Sequence, residues 1–250
     1  MAVEIQLVSP SSARNYVEEL WQLYQKYYDC SYNFFKQRIE NHDFHVLFLD
    51  QNRVIGFTGI KRNEVILNGQ KITLVGLSIT VIDQEHRSQG LIQKAVARLT
   101  KKEMLTNPLQ KTYIWSVVAS YKPYLVFAKG VKDFFPTRDT EEHSEYKTIQ
   151  QTICELHFQE YDLDNHLVYI KGMRITNQSV LSYDENYMNR DKRYYKNRYD
   201  SGRSTNGLEV KGILTIAPAS FRNLTFWVAK FTKRKLNRAK QMSGKRKIAA

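Results

Sequence analysis

Eleven consecutive residues, Ile82-Asp83-Gln84-Glu85-His86-Arg87-Ser88-Gln89-Gly90-Leu91-Ile92, combine the types that could grip a phosphate ester. They follow a strand-like run, Lys71–Ile82, and open a stretch from Gly90 to Asn107 with helical patterning, which Pro108 follows closely. A loop of this kind aims backbone N–H groups at whatever lies in front of the helix, and the helix end adds about half a positive charge. Arg87 supplies a full charge, and Gly90 lets the backbone come close to a ligand with no Cβ in the way. The chemistry is that of a pyrophosphate cradle. A dinucleotide-binding turn would need two glycines ahead of the helix and a following βαβ unit, and a P-loop would need Gly-Lys-Ser/Thr. Neither is present.

The elements that must position this loop are legible around it. Val3–Val8 reads as a first strand, and Ser11 or Ser12 caps a helix running to about Asp29, with Tyr16, Leu20, Leu23 and Tyr27 at helical steps. A second helix spans Tyr32–Glu40 and carries Phe34, Phe35 and Ile39. Three strands follow, Phe44–Leu49, Arg53–Ile60 continuing towards Leu67, and Lys71–Ile82, with turns at Asp50-Gln51-Asn52 and Asn68-Gly69. After the helix at Gly90–Asn107 come a buried strand, Thr112–Ala119, and a helix from Pro123 to Lys129 that stops at Gly130. Asp133–Thr137 reads as a short strand and Glu141–Phe158 as a helix. Antiparallel runs plus a β-helix-β crossover imply an α/β fold: a mixed sheet with helices on its faces.

With this element order, Arg87-Ser88-Gln89-Gly90-Leu91-Ile92 resembles the acetyl-CoA-binding motif of the GNAT superfamily of N-acyltransferases, Arg/Gln-x-x-Gly-x-Gly/Ala. Arg87 and Gly90 match; Ile92 stands where the family usually has a small residue. The resemblance covers residues 3–137 and implies a fold and a reaction. Thr80, Val81 and Ile82 would end a splayed strand that pairs with the pantetheine arm, the N–H of Val81 polarising the thioester carbonyl. Arg87, Ser88, Gln89, Gly90, Leu91 and Ile92 would hold the pyrophosphate of acetyl-CoA or a longer acyl-CoA. The amine would attack the thioester directly. Family members often carry an acid Tyr four residues before the glycine ending the next helix; counting back from Gly130 gives Val126. Tyr124, Tyr121 or Ser120 would then have to protonate the leaving thiolate. Glu64 and His45, on or near strands that could face the acceptor cleft, are the candidate bases, an amine of depressed pKa or a water chain being the alternative to either, and His86 is read as packing.

Beyond the core (residues 1–150), an extension (151–231) is expected to complete the sheet and the acceptor side, ahead of a polybasic tail (232–250). Leu167–Ile175 and Leu208–Ile216 read as strands, and the Tyr-rich stretch from Asp184 to Gly207 as a loop or lid. Phe221, Leu224, Trp227, Val228 and Phe231 share a helical face expected to dock on the core. The net charge of +13 is concentrated: residues 230–250 hold nine Lys or Arg and no acid, leaving +4 for the rest. Such a tail attracts an acidic protein or peptide, or a membrane surface, with nucleic acid the weaker expectation. No apolar run approaches the ~20 residues of a membrane span, and no secretory signal is visible. Two distant cysteines, Cys30 and Cys154, fit neither a disulfide scaffold nor a metal site, so a reducing, cytoplasmic setting and no metal are expected. Two readings remain open: an N-acyltransferase, its acceptor an amine such as a peptide side chain and its donor extending to fatty acyl groups, or a lapsed GNAT-fold binding protein working through its tail.

Overall fold

The computed structural model describes residues 3–137, 139–140, 143–176, 190–226, 228–229 and 232. Strand β1 (Glu4–Val8) leads to a short helix α1 (Pro10–Ala13), a 3₁₀ turn (Arg14–Tyr16) and helix α2 (Val17–Tyr24). The cap is Ser9, whose Oγ accepts from the Ser12 N–H at 3.1 Å, and the single helix expected to reach Asp29 is thus broken at the 3₁₀ turn and ends at Tyr24. The next strand, β2, is only Tyr28–Asp29. Helix α3 (Tyr32–Glu40) begins where Ser31 Oγ accepts from the Phe34 N–H at 3.2 Å. Strands β3 (Phe44–Asp50), β4 (Arg53–Leu67) and β5 (Gln70–Ile82) form a meander, followed by α4 (Leu91–Thr106), β6 (Lys111–Val118) and α5 (Tyr121–Gly130).

Residues 133–137 make no strand; one bridge, the Phe135 N–H donating to Ile216 O at 2.7 Å and the reverse bond at 2.7 Å, joins them to the sheet. Helix α6 (Ser144–His157), β7 (Glu160–Asp162), β8 (Leu167–Lys171) and β9 (Arg174–Ile175) follow. The expected strand Leu167–Ile175 is divided at Gly172, which turns with φ +85°. The stretch expected as a loop contains helix α7 (Arg190–Ser201). Its buried residues are Lys192 and Tyr195 rather than aliphatics, Tyr195 being stacked 5.6 Å from Tyr199, so its sequence lacks the usual apolar stripe. Strand β10 (Glu209–Pro218) closes the described order, ahead of a helical turn at 221–226.

Eight strands form one sheet in the order β1-β3-β4-β5-β6-β10-β8-β7; β5 and β6 run parallel and every other neighbour antiparallel. The fold is a mixed α/β sheet flanked by helices. Leu20, Tyr24 and Phe35 of α2 and α3 pack on Phe57, Ile79 and Val81. Leu91, Ala95 and Leu99 of α4 pack with Val46, Phe48, Val75 and Leu77. Ile149 and Ile153 of α6 cover Trp115, Leu214 and Ile216.

The apolar face expected at Phe221, Leu224 and Val228 does not dock as a unit. Phe221 is 74% exposed and Val228 48% exposed, while Trp227 and Phe231 lie outside the described residues. The inward anchor is polar. Asn223 Oδ1 accepts from the N–H groups of Lys132 and Asp133, both at 2.8 Å, and its amide donates to Asp133 O and Pro218 O, both at 2.9 Å. Among the described residues no helix is long and apolar enough to cross a membrane.

Candidate active site

Strands β5 and β6 pair from Ile72↔Lys111 to Leu77↔Ser116, and there they part. Above that point β5 continues to Ile82 beside β4, while Val117 and Val118 pair with β10. The parting has a local cause. The β4–β5 register moves from Ile60↔Leu77 to Thr58↔Thr80, so Ser78 and Ile79 face a single residue across the ladder. Such a bulge bends its strand and reverses which side chains face which side. Ile72 and Leu74 face the α6 layer below it, Ile79 and Val81 the α2–α3 layer above. Ser116 Oγ donates to Leu77 O at 2.9 Å and pins the vertex of the V.

The backbone groups in the V follow from the ladder. The Asp83 N–H reaches Ile55 O at 2.8 Å. Antiparallel pairs alternate between bonded and non-bonded, so Val81 exchanges its bonds with Phe57, and Thr80 and Ile82 turn theirs away from β4 into the V. Two contacts agree: Thr58 and Thr80 hydroxyls meet at 2.7 Å, as a close non-bonded pair allows, and Ile82 O accepts from Arg87 Nε at 3.0 Å. The expected polarising N–H of Val81 is therefore committed to β4, and those of Thr80 and Ile82 are the available ones.

The loop beyond Ile82 is held by its neighbours. Lys26 pairs with Asp83 at 2.9 Å, and the Gln84 N–H donates to the Tyr27 hydroxyl at 2.9 Å. The Arg87 guanidinium lies 4.4 Å over the Tyr27 ring, so stacking and its bond to Ile82 O orient it while no described residue bonds its terminal nitrogens. Gly90 is the residue before α4, at φ +72°, and no side chain caps the helix. The first helical bond runs from the Lys94 N–H to Gly90 O, leaving the N–H groups of Leu91, Ile92 and Gln93 without intrahelical acceptors. The V, the loop and the helix end share one cleft of about 930 Å³, also lined by Ser88, Gln89 and His86. Its charged lining side chains, Arg87, Lys122 and Lys129, are all cationic. A parted parallel pair with an uncapped helix beyond it is the arrangement that the motif resemblance implied, and the bulge in β5 is a further feature that the structure adds. The chain has a GNAT-like fold.

No family model matches the chain, and no curated protein matches it. Solved structures do. It is similar to a glucosamine-6-phosphate N-acetyltransferase from Arabidopsis thaliana at 14% identity and a TM-score of 0.39, over 53% of this chain and 93% of that one. An aminoglycoside N-acetyltransferase in complex with CoA is 15% identical at a TM-score of 0.35, over 64% of this chain and 90% of that one. A GNAT family acetyltransferase from Staphylococcus aureus is 23% identical at a TM-score of 0.35, over 46% and 85%.

Within this GNAT-like fold the expected proton carriers separate. Tyr124 is buried, with its hydroxyl donating to Pro136 O at 3.1 Å and its ring against Phe134 and Tyr195. Tyr121 faces Tyr195 and Lys192. Neither lines the cleft, because α5 turns Lys122, Leu125, Val126 and Lys129 towards it and carries both tyrosines on its other side. Ser120 does line it, with a buried Oγ that has no partner among the described residues. Glu64 lies opposite Thr73, below the vertex and outside the cleft, held below the usual carboxylate range by Lys71 at 2.5 Å and then by Arg62. His45 is buried against Ile39 O, to which its Nε2 sits at 3.0 Å, and is also outside the cleft.

Sequence reasoning passed over Tyr28. It lines the cleft together with Ser78 and Thr80, stacked 4.7 Å from Tyr24. Burial pushes its phenol above the ordinary range, against the pull of Arg38 and Arg87. The expected helix to Asp29 hid it; the two-residue strand it occupies pairs with β9, 147 positions on at Ile175, which no local pattern announces.

Proposed function

We propose that this chain is an acyl-CoA-dependent N-acyltransferase. The observation that carries the reading is the single cleft in which free strand-edge N–H groups, an uncapped helix N-terminus and three cations converge. The pyrophosphate would lie on the N–H groups of Leu91, Ile92 and Gln93 with the Arg87 terminal nitrogens, and Ser88, Gln89 and Gly90 would line the approach. The thioester carbonyl would take a hydrogen bond from Thr80 or Ile82. The amine nitrogen attacks that carbonyl carbon, the C–N bond forms, the C–S bond breaks, and the electron pair leaves on sulfur. We assign the proton for the thiolate to Tyr28, which lines the cleft with Ser78 and Thr80 and, like any phenol, is protonated at neutral pH. Ser120, at the α5 end of the V, orients the leaving group. The amine sheds its proton to water. We assign no side-chain base.

The acceptor in this proposal is a peptide side-chain amine and the donor a fatty acyl-CoA, with the basic tail drawing an acidic stretch of the acceptor. The intact cleft favours this enzyme over a lapsed binding protein, since a lapsed site has no reason to retain an open cradle. The test is to incubate the protein with acyl-CoA and a panel of amines, following free thiol and product mass. Thiol release with a matching mass gain on the amine is expected. Tight CoA binding with no transfer to any amine would overturn the enzymatic reading.

A further inference from the structure

The cleft is longer than the V. Strands β5 and β6 rejoin at Leu77 and Ser116, yet the same cavity continues below that level between α4 and α5. On α4 its wall runs from Gln93 through Val96 and Ala97 to Thr100, one helical stripe about 10 Å long at 1.5 Å per residue. The floor is Ile114 with Ala217, its partner across β6 and β10, and Leu224 of the 221–226 turn closes the far side. Ser116 adds little polarity, because its hydroxyl is bonded to Leu77 O. Lys122 and Lys129 are both exposed at the cleft margin. A pantetheine arm laid along the parted edges would occupy the upper cleft and leave this lower channel unfilled.

Resting on the acyl-CoA reading above, we propose that the lower channel houses the donor's acyl chain, so that the enzyme selects medium- to long-chain acyl-CoA over acetyl-CoA. An elongated, uncharged, apolar occupant continuous with a CoA headgroup suits these walls, and an acyl chain is the part of such a donor with that chemistry. Each buried methylene strengthens binding about fourfold. Ala97 and Ala217 leave the room that larger side chains would fill.

The experiment is a calorimetric titration of the full chain with CoA and with non-transferable thioether analogues bearing acetyl, hexanoyl, decanoyl and myristoyl-length chains. Affinity should rise by about fourfold per methylene until the channel is full and then level off. Equal affinity across the series, with CoA itself binding, would overturn this inference while leaving the acyltransferase reading in place. Failure of CoA and every analogue to bind would instead overturn that reading and this inference with it. In Ala97→Leu, on the half-buried channel wall, the ratio of decanoyl to acetyl affinity should fall tenfold or more. Leu224→Ala should move the plateau to longer chains. An unchanged ratio in Ala97→Leu, together with an unmoved plateau in Leu224→Ala, would overturn the placement.

Discussion

A tyrosine's role here depends on which side of a short element it occupies. Tyr28 and Tyr124 are chemically alike, but one lines the cleft and the other gives its hydroxyl to Pro136 O. Tyr28→Phe should lower kcat by about 10²–10⁴ with little change in KM, the signature of an interaction made in the transition state. Tyr124→Phe should leave kcat unchanged and cost about 1 kcal/mol of stability for the lost hydrogen bond, read by urea unfolding. If the two variants exchange these behaviours, proton delivery has been assigned to the wrong residue. The sequence carried Arg87 and Gly90 clearly because a phosphate cradle needs a positive charge and an unhindered backbone within a few adjacent residues. It could not carry Tyr28, whose place depends on pairing with Arg174 and Ile175, nor the turn of α5 that removes Tyr121 and Tyr124.

Strand β5 is where local pattern and tertiary structure part company. Its stretch Leu77-Ser78-Ile79-Thr80-Val81 alternates as an unbroken strand would, so the pattern does not reveal the bulge at Ser78 and Ile79 that opens the V and exchanges Val81 for its neighbours as donors. Below the bulge, Gly76 lies against the Trp115 ring, which a Cβ would meet at 2.2 Å. Gly76→Ala should therefore destabilise the protein by about 1–3 kcal/mol through overpacking in a closely packed layer. A wild-type unfolding midpoint in that variant would contradict the packing described. The β3–β4 layer makes a second prediction, in pH. Burial, with His45 beside it, lowers the His42 pKa to about 3; burial lowers that of His157 to about 4 and also depresses His45. The unfolded chain then binds more protons below the ordinary histidine pKa of ~6.5, so stability is full above that pH and falls as pH drops through it. Each histidine held neutral contributes a slope of about 1.4 kcal/mol per pH unit. Unfolding free energies at pH 7.5, 6 and 5 should decline steadily, above the range where carboxylates protonate. A flat profile would mean these rings are not buried neutral.

At the scale of the whole molecule, the order of elements from Tyr32 to Gly130 was readable because each helix and strand there is bounded by its own turn, glycine or cap. Further on, the helix at 141–158 and the strands at 167–175 and 208–216 were readable as elements, but their arrangement was not. It is built from long-range pairings: β10 inserts between β6 and β8, Asn223 fastens the 221–226 turn by polar bonds, and α7 packs through tyrosines. The segment from 232 lies almost wholly outside the described residues, and its charge sets an expectation of its own. Deleting residues 232–250 should spare transfer to a small amine and weaken transfer to an acidic peptide, most at low salt, where screening over about 10 Å at 0.1 M is relaxed. Equal activity on both acceptors at every salt would leave the tail without that role. All of this depends on the cleft being a CoA site, and calorimetric titration of CoA into wild type and Arg87→Ala measures that directly. The account expects saturable binding by the wild type and a dissociation constant about 10- to 100-fold higher in the variant, the loss of a charge-assisted contact to the pyrophosphate. Equal binding by the two proteins, or none by either, would contradict it.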